Sequence, residues 1–328
     1  MNKTVHRISS FILLLLFSTA VLIQPVAADD TIQYKPQAAV ASAHPLATQA
    51  GLDIMRQGGN AFDAAVAVSA ALAVVEPYSS GIGGGGFYLL HKVNSKDDSN
   101  CKADDQDCPA RSRGRYIMVD ARERAPLRSH ADMYLDDAGE VISNASINGA
   151  LSAGIPGLPA ALVHLAERYG ELTLAQSLSP AIRYAREGLS VDAHYQRMAT
   201  FRRDAFLQND AASSIFLKQG EVPELGAIIM QADLAYTLEL IATSGHAGFY
   251  EGELALKMVK DVRKHGGIWT MKDLGTYEIK ERAPEVTIYK GMKVVAASLP
   301  SSGGLVISEI LNMLSHYELS KMDEAQQI

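Results

Sequence analysis

The sequence predicts a layered α/β or α+β fold, and three observations carry that prediction. Segments with helical spacing of apolar residues and Gly or Pro stops alternate with short apolar runs of strand character, such as 87–93 and 293–297. The chain is 48% hydrophobic and 20% charged, a composition that supplies a core and excludes general disorder. Its 328 residues contain no internal repeat and no flexible linker, which leaves one large unit or two packed ones.

Residues 1–28 read as an export signal. Lys3 and Arg7 precede an apolar run over 11–23, and Val26-Ala27-Ala28 places small residues before Asp29. That run of 13 residues is shorter than the ~20 needed to cross a bilayer, so cleavage rather than anchorage is expected. Export to the periplasm or outside the cell gives the two cysteines an oxidising setting. Cys101 and Cys108 lie in the polar stretch 94–115, where a disulfide closing a surface loop is the expected state. Asp97, Asp98, Asp104, Asp105 and Asp107 crowd the same loop but lack the EF-hand order, which favours a solvated loop over a calcium site.

The next elements follow from local signals. Residues 46–57 form an amphipathic helix that Gly58-Gly59 stops, and Asn60 caps a second helix over 61–75 that ends before Pro77. That second helix is Ala- and Val-rich on every side, which places it inside the protein. Strands over 87–93 and 116–119 are joined through the Cys loop as a hairpin with a long insertion. Helices over 158–170 and 174–188 each end at a Gly. Residues 190–225 are polar and receive no element. Helices over 234–245 and 253–267, a strand over 293–297, a Pro-Ser-Ser-Gly-Gly turn and a helix over 305–317 complete the reading.

A net charge of −7 with no Lys/Arg block argues against nucleic-acid and anionic-membrane partners. The nine histidines are scattered without an H-E-x-x-H or Cys/His cluster, so neither a metal nor another cofactor is expected. Gly81 to Gly86 spell G-x-G-x-x-G, but a dinucleotide site needs a strand before the glycines and a helix after them. Here the order is helix then strand, and the physical reading is a backbone that passes very close to another. Pro300 to Gly304 has the strand-turn-helix order, and a plain cap by Ser301 or Ser302 is favoured over an anion site. The segment Asp120-Ala121-Arg122-Glu123 closes a strand. An Arg held by neighbouring carboxylates presents a fork that matches a substrate carboxylate; a surface Asp/Glu–Arg cluster is the plainer alternative on these residues alone.

Taken in order, the segments resemble the large-subunit part of the γ-glutamyltranspeptidase (γ-glutamyltransferase, glutathione hydrolase) family. GGNAFDAAVA, GIGGGGF, VDARERAP, GIPGLPAAL, GFYEG, GGIWTMKDL and PSSGG followed by LVISEILNML occur in the family's order over about 37–314. The resemblance implies an αββα sandwich of the N-terminal-nucleophile hydrolase type. It also implies an exported precursor that cuts itself into two subunits, the small one opening on a nucleophilic Thr. Within this chain it assigns Arg122 as the contact for the α-carboxylate of a γ-glutamyl group, and glutathione-like molecules as substrates.

The family's Thr-[Thr/Ser]-His nucleophile segment does not occur in these 328 residues; Thr270, Thr276 and Thr287 have the wrong surroundings. Residues 29–328 are therefore expected to be a large-subunit region truncated at its C-terminal end, without catalytic residues of its own. Such a chain would need a small subunit to work. Two other readings stay open: a secreted binding or scaffold module without chemistry, or the large-subunit part of a β-lactam acylase or poly-γ-glutamate-processing enzyme.

Overall fold

A computed structural model describes residues 38–93 and 114–322. The expected export signal and the Cys101/Cys108 loop with its Asp cluster lie outside the described residues. Helices and small antiparallel sheets alternate along the rest, in keeping with the layered helix-and-sheet class.

The core begins with α1 (Pro45–Arg56) and α2 (Ala61–Val75), which begin and end within one residue of the sequence expectation. Gly58 adopts φ +93°, a left-handed conformation that ends α1 without a Cβ penalty. Asn60 opens α2 with a reciprocal cap: its side chain accepts from the backbone of Phe62 and Asp63, and Asp63 accepts the N–H of Asn60 at 2.9 Å. Ala64, Val66, Ala67, Ala70, Ala71, Val74 and Val75 of α2 are buried, so the all-round apolar helix is indeed internal.

Strands β1 (Gly86–Lys92) and β2 (Arg115–Ala121) pair antiparallel, with Gly86 opposite Ala121 and Lys92 opposite Arg115. Helix α3 (Leu158–Tyr169) carries Pro159 in its first turn, where no N–H is needed, and α4 (Leu174–Glu187) starts on a Thr173–Gln176 capping box. Helices α1, α3 and α4 all pack on α2.

The polar stretch without a sequence assignment begins at the end of β3 (Leu189–Ser190) and contains α5 (Ala193–Leu207) and α6 (Asp210–Phe216). Asp192 and Asn209 cap the two helices through Tyr195 and Ala212. Only Tyr195 and Ala199 of α5 are buried, in a small second core with Leu189, Val191 and Ile229, so the helix shows little apolar period. Strand β4 (Ile228–Ile229) pairs with β3 and leads into α7 (Ala232–Ser244), α8 (Ala247–Tyr250), α9 (Gly252–Lys264) and α10 (Met271–Gly275).

Strand β5 (Lys280–Arg282) then returns to β2, making β2 the centre of a three-stranded sheet with Asp120 opposite Lys280. A hairpin of β6 (Glu285–Tyr289) and β7 (Met292–Ala296) turns at Lys290-Gly291, both with positive φ, the geometry of a tight primed turn. Helix α11 (Gly303–Leu314) closes the described chain apart from a single 3₁₀ turn. Its burial is inverted: Gly304 and Ser308 are covered, while Leu305, Val306, Ile307, Ile310 and Met313 are each exposed by more than two-fifths. Of the two serines expected to cap it, Ser302 has helical backbone angles and caps nothing through its side chain, while Ser301 Oγ accepts from the Gly303 amide at a long 3.4 Å. No described helix is long and apolar enough to cross a membrane.

Candidate functional site

Arg122 sits one residue past the end of β2, and the backbone around it is held from several directions. Its N–H donates to Asp120 Oδ1 at 3.1 Å, and its carbonyl accepts the Tyr277 hydroxyl at 2.8 Å. Two residues on, Arg124 and Ile155 exchange backbone bonds of 3.2 and 2.8 Å. The side chain of Arg122 is exposed and has no ion-pair partner among the described residues.

This corrects one expectation. The carboxylates beside Arg122 do not hold its guanidinium. Asp120 is nearly buried and spends its second oxygen on Arg282 Nε of β5, at 2.8 Å. The acid thus fixes the backbone that carries Arg122 and leaves its charged fork unengaged. Strand β5 was not anticipated, so the competitor for Asp120 could not be seen.

The close approach expected at the glycines is present. A Cβ on Gly85 would lie 2.3 Å from the Ala121 carbonyl oxygen, and one on Gly84 would lie 3.2 Å from Glu123 Oε1. The Gly84 carbonyl accepts from Gly157 and Leu158, the first amides of α3, at 2.8 and 3.0 Å. Gly157 is as constrained: a Cβ there would meet both the Ala121 oxygen and the Tyr277 hydroxyl at 2.1 Å. The order is helix, glycines, strand, as read from the sequence, and the glycines serve a backbone crossing beneath Arg122.

Tyr277 is the residue that sequence reasoning missed. It is fully buried and stacks parallel on Tyr250 with ring centroids 5.5 Å apart, while the Arg124 guanidinium lies 4.9 Å over its ring. Burial pushes its phenol up to about 12; the Arg124 charge acts the other way, and Asp120 and Glu123 add to the rise. At neutral pH it therefore stays an O–H donor to Arg122. Tyr250 is held in turn, donating to the Pro156 carbonyl at 2.8 Å and accepting from Ala160. Nothing local in the sequence marks Tyr277, because the residues it fixes at the site, Arg122 and Arg124, are more than a hundred residues away.

Arg122 opens into a cleft of about 280 Å³ lined by Asp120, Glu123, Lys280, Arg282 and Pro300 among others. The opposite face of β5 is different. Glu281 accepts from His164 at 2.9 Å and from the Tyr169 hydroxyl, and Arg168 lies 3.3 Å away. Burial opposes ionisation of Glu281, but the two hydrogen bonds and the Arg168 charge outweigh it and hold the carboxyl below its usual range. That cluster ties β5 to α3. Thr270, already discounted as a nucleophile, is occupied as a helix cap, donating to Asp273 at 2.6 Å.

Comparison with known proteins adds an independent line. The family model described as gamma-glutamyltranspeptidase matches residues 47–328. A glutathione hydrolase proenzyme from Pseudomonas sp. (strain A14) is 39% identical over 284 residues, 86% of this chain and 46% of that protein. The glutathione hydrolase proenzyme of Escherichia coli (strain K12) is 37% identical over 286 residues, again 46% of its length. The crystal structure of Helicobacter pylori gamma-glutamyltranspeptidase superposes with TM-score 0.79 at 37% identity, covering 88% of this chain and 77% of that one. The chain thus spans about half the length of the curated relatives it matches.

Proposed function

Because the chain belongs to the γ-glutamyltranspeptidase family, we propose that it supplies the α-carboxylate-binding part of an enzyme that transfers or hydrolyses the γ-glutamyl group of glutathione and related compounds. The observation that carries this reading is the Arg122 guanidinium, without an ion pair among the described residues, in a cleft and on a backbone fixed at its N–H and its carbonyl. A free fork on a rigid base can accept a carboxylate through two parallel charged hydrogen bonds, and that contact orients the rest of the ligand.

In this reading residues 1–28 direct export to the periplasm or the exterior, and residues 29–328 form the large-subunit side of an αββα sandwich. The nucleophile, a Thr with a free amine, comes from a small subunit. The apolar residues exposed along α11 support such a partner, since an exposed apolar helix face is what a large interface buries. Within the chain the residues bind and position; none attacks the γ-carbonyl.

The test is release of p-nitroaniline from γ-glutamyl-p-nitroanilide. A polypeptide of these 328 residues is expected to give no release above buffer by itself. Purified together with the nucleophile-bearing segment of a related glutathione hydrolase, it is expected to give turnover. Turnover by the polypeptide alone, or a stable complex that stays inactive, would contradict the proposal.

A further inference from the structure

We infer that Lys280 makes the Arg122 cleft selective for γ-glutamyl compounds that carry a second carboxylate, on the part of the molecule attached to the γ-carbonyl. The inference rests on the reading of Arg122 as the α-carboxylate contact. The cleft contains four cationic side chains, Arg122, Arg124, Lys280 and Arg282, against the acids Asp120, Glu123 and Glu278. Two of the cations are already committed. Arg282 holds Asp120, and Arg124 donates to the backbone carbonyls of Thr276 and Glu278 while lying over Tyr277.

Arg122 and Lys280 remain, both exposed and both without an ion pair among the described residues. Lys280 is directly opposite Asp120 in the β2–β5 pairing, so it projects from the same face as Asp120, and Arg122 follows two positions along the chain. Arg122 lies past the last paired residue of β2, and both it and Lys280 line the same cleft of about 280 Å³. Their long stems let the two cations hold carboxylates at opposite ends of a dipeptide-sized molecule. Glu278 lines the same cleft and limits the excess of positive charge, which favours one additional carboxylate over a polyanion.

Two probes separate this contact from the rest of the ligand: γ-glutamylglycine, and its amide γ-glutamylglycinamide, which differ only in the second carboxylate. Ligand-observed NMR titration of the 328-residue polypeptide reads the dissociation constant of each. The acid is expected to bind about 3-fold more tightly than the amide at low salt, the scale of an exposed ion pair. The preference is expected to fade as salt rises. Lys280→Met is expected to bring the ratio to one, and Lys280→Glu to reverse it. Both variants alter an exposed side chain, and circular dichroism checks that they fold.

A ratio of one in the unsubstituted chain, a preference that survives Lys280→Met, or failure of both dipeptides to bind overturns the proposal. Arg122→Ala tests the underlying reading separately, since it should weaken both probes equally. If it leaves both unchanged while Lys280→Met still abolishes the preference, the Arg122 assignment fails and the Lys280 assignment stands.

Discussion

Arg122→Ala is expected to lower kcat/KM for γ-glutamyl donors ~100-fold or more in the assembled enzyme, without lowering the melting temperature. A loss of that size corresponds to about 2.7 kcal/mol of transition-state stabilisation, within reach of a charged fork whose hydrogen bonds each contribute roughly 1.5–3 kcal/mol. The fold should not notice. The guanidinium is exposed and makes no ion pair among the described residues, and exposed substitutions of this kind usually stay within about 0.5 kcal/mol. Arg122→Lys keeps the charge and loses the planar fork, so its kcat/KM should fall between the two. Steady-state kinetics alongside thermal melts check both halves. Unchanged kinetics would remove Arg122 from the site, and a large drop in melting temperature would make it structural.

Asp63→Ala should destabilise the chain by about 3–5 kcal/mol, the scale of leaving several buried donors without an acceptor. Asp63 is completely buried and has no basic partner among the described residues. It is held instead by donors: the amides of Asn60 and Glu171, both at 2.9 Å, the amide of Leu172 at 3.3 Å and the Ser177 hydroxyl at 3.5 Å. One carboxylate thereby joins the start of α2, the end of α3 and the start of α4, with Asn60 adding a 2.7 Å bond to the Tyr169 carbonyl. Gly170 makes room for it, since a Cβ there would stand 2.4 Å from Asp63 Oδ1. Removing the carboxylate leaves three inward-facing amides without an acceptor, each costing roughly 1–3 kcal/mol when buried. Asp63→Asn keeps the volume and one acceptor oxygen and should cost less. Urea denaturation with both variants checks the order; an Asp63→Ala chain as stable as the parent would refute the four-donor account.

Asp63 also shows what the sequence made legible. The GGNAFDAAVA segment carries both the helix cap and much of the family resemblance. The Asn60–Asp63 spacing announces the cap, since Ncap and N3 positions are local. That the same Asp also gathers Glu171 and Leu172 depends on how α3 and α4 fold back, which no local pattern encodes. The helices α1 to α4 were readable because apolar residues and Gly or Pro stops agree on their ends. Helix α5 was not, because its single small core leaves most of its surface polar; Asp192 and Asn209 were the caps available to find it and α6. Strand β5 reads Lys-Glu-Arg, and its two faces serve an ion pair on one side and the Glu281 cluster on the other, so it lacks an apolar run.

The site divides in the same way. Arg122 and the glycine crossing were visible, the first through its strand-end position and family resemblance, the second through the density of Gly residues. The grip on Arg122 was not. Tyr277 and Arg282 reach it from more than a hundred and fifty residues downstream. That long-range grip leaves Arg122 freedom only in its side-chain stem, as the proposed binding role requires, while Asp120, Tyr277 and the Arg124–Ile155 bridge hold the backbone.

The most direct measurement of the central claim is a crystal structure of the chain, assembled with a nucleophile-bearing small subunit, with a γ-glutamyl compound bound. The α-carboxylate should lie on the Arg122 guanidinium in a two-bond fork with N···O separations of about 2.7–2.9 Å, with the Tyr277–Arg122 bond retained. A ligand seated elsewhere with Arg122 unengaged, for instance in the Glu281 cleft against α3, would contradict the account.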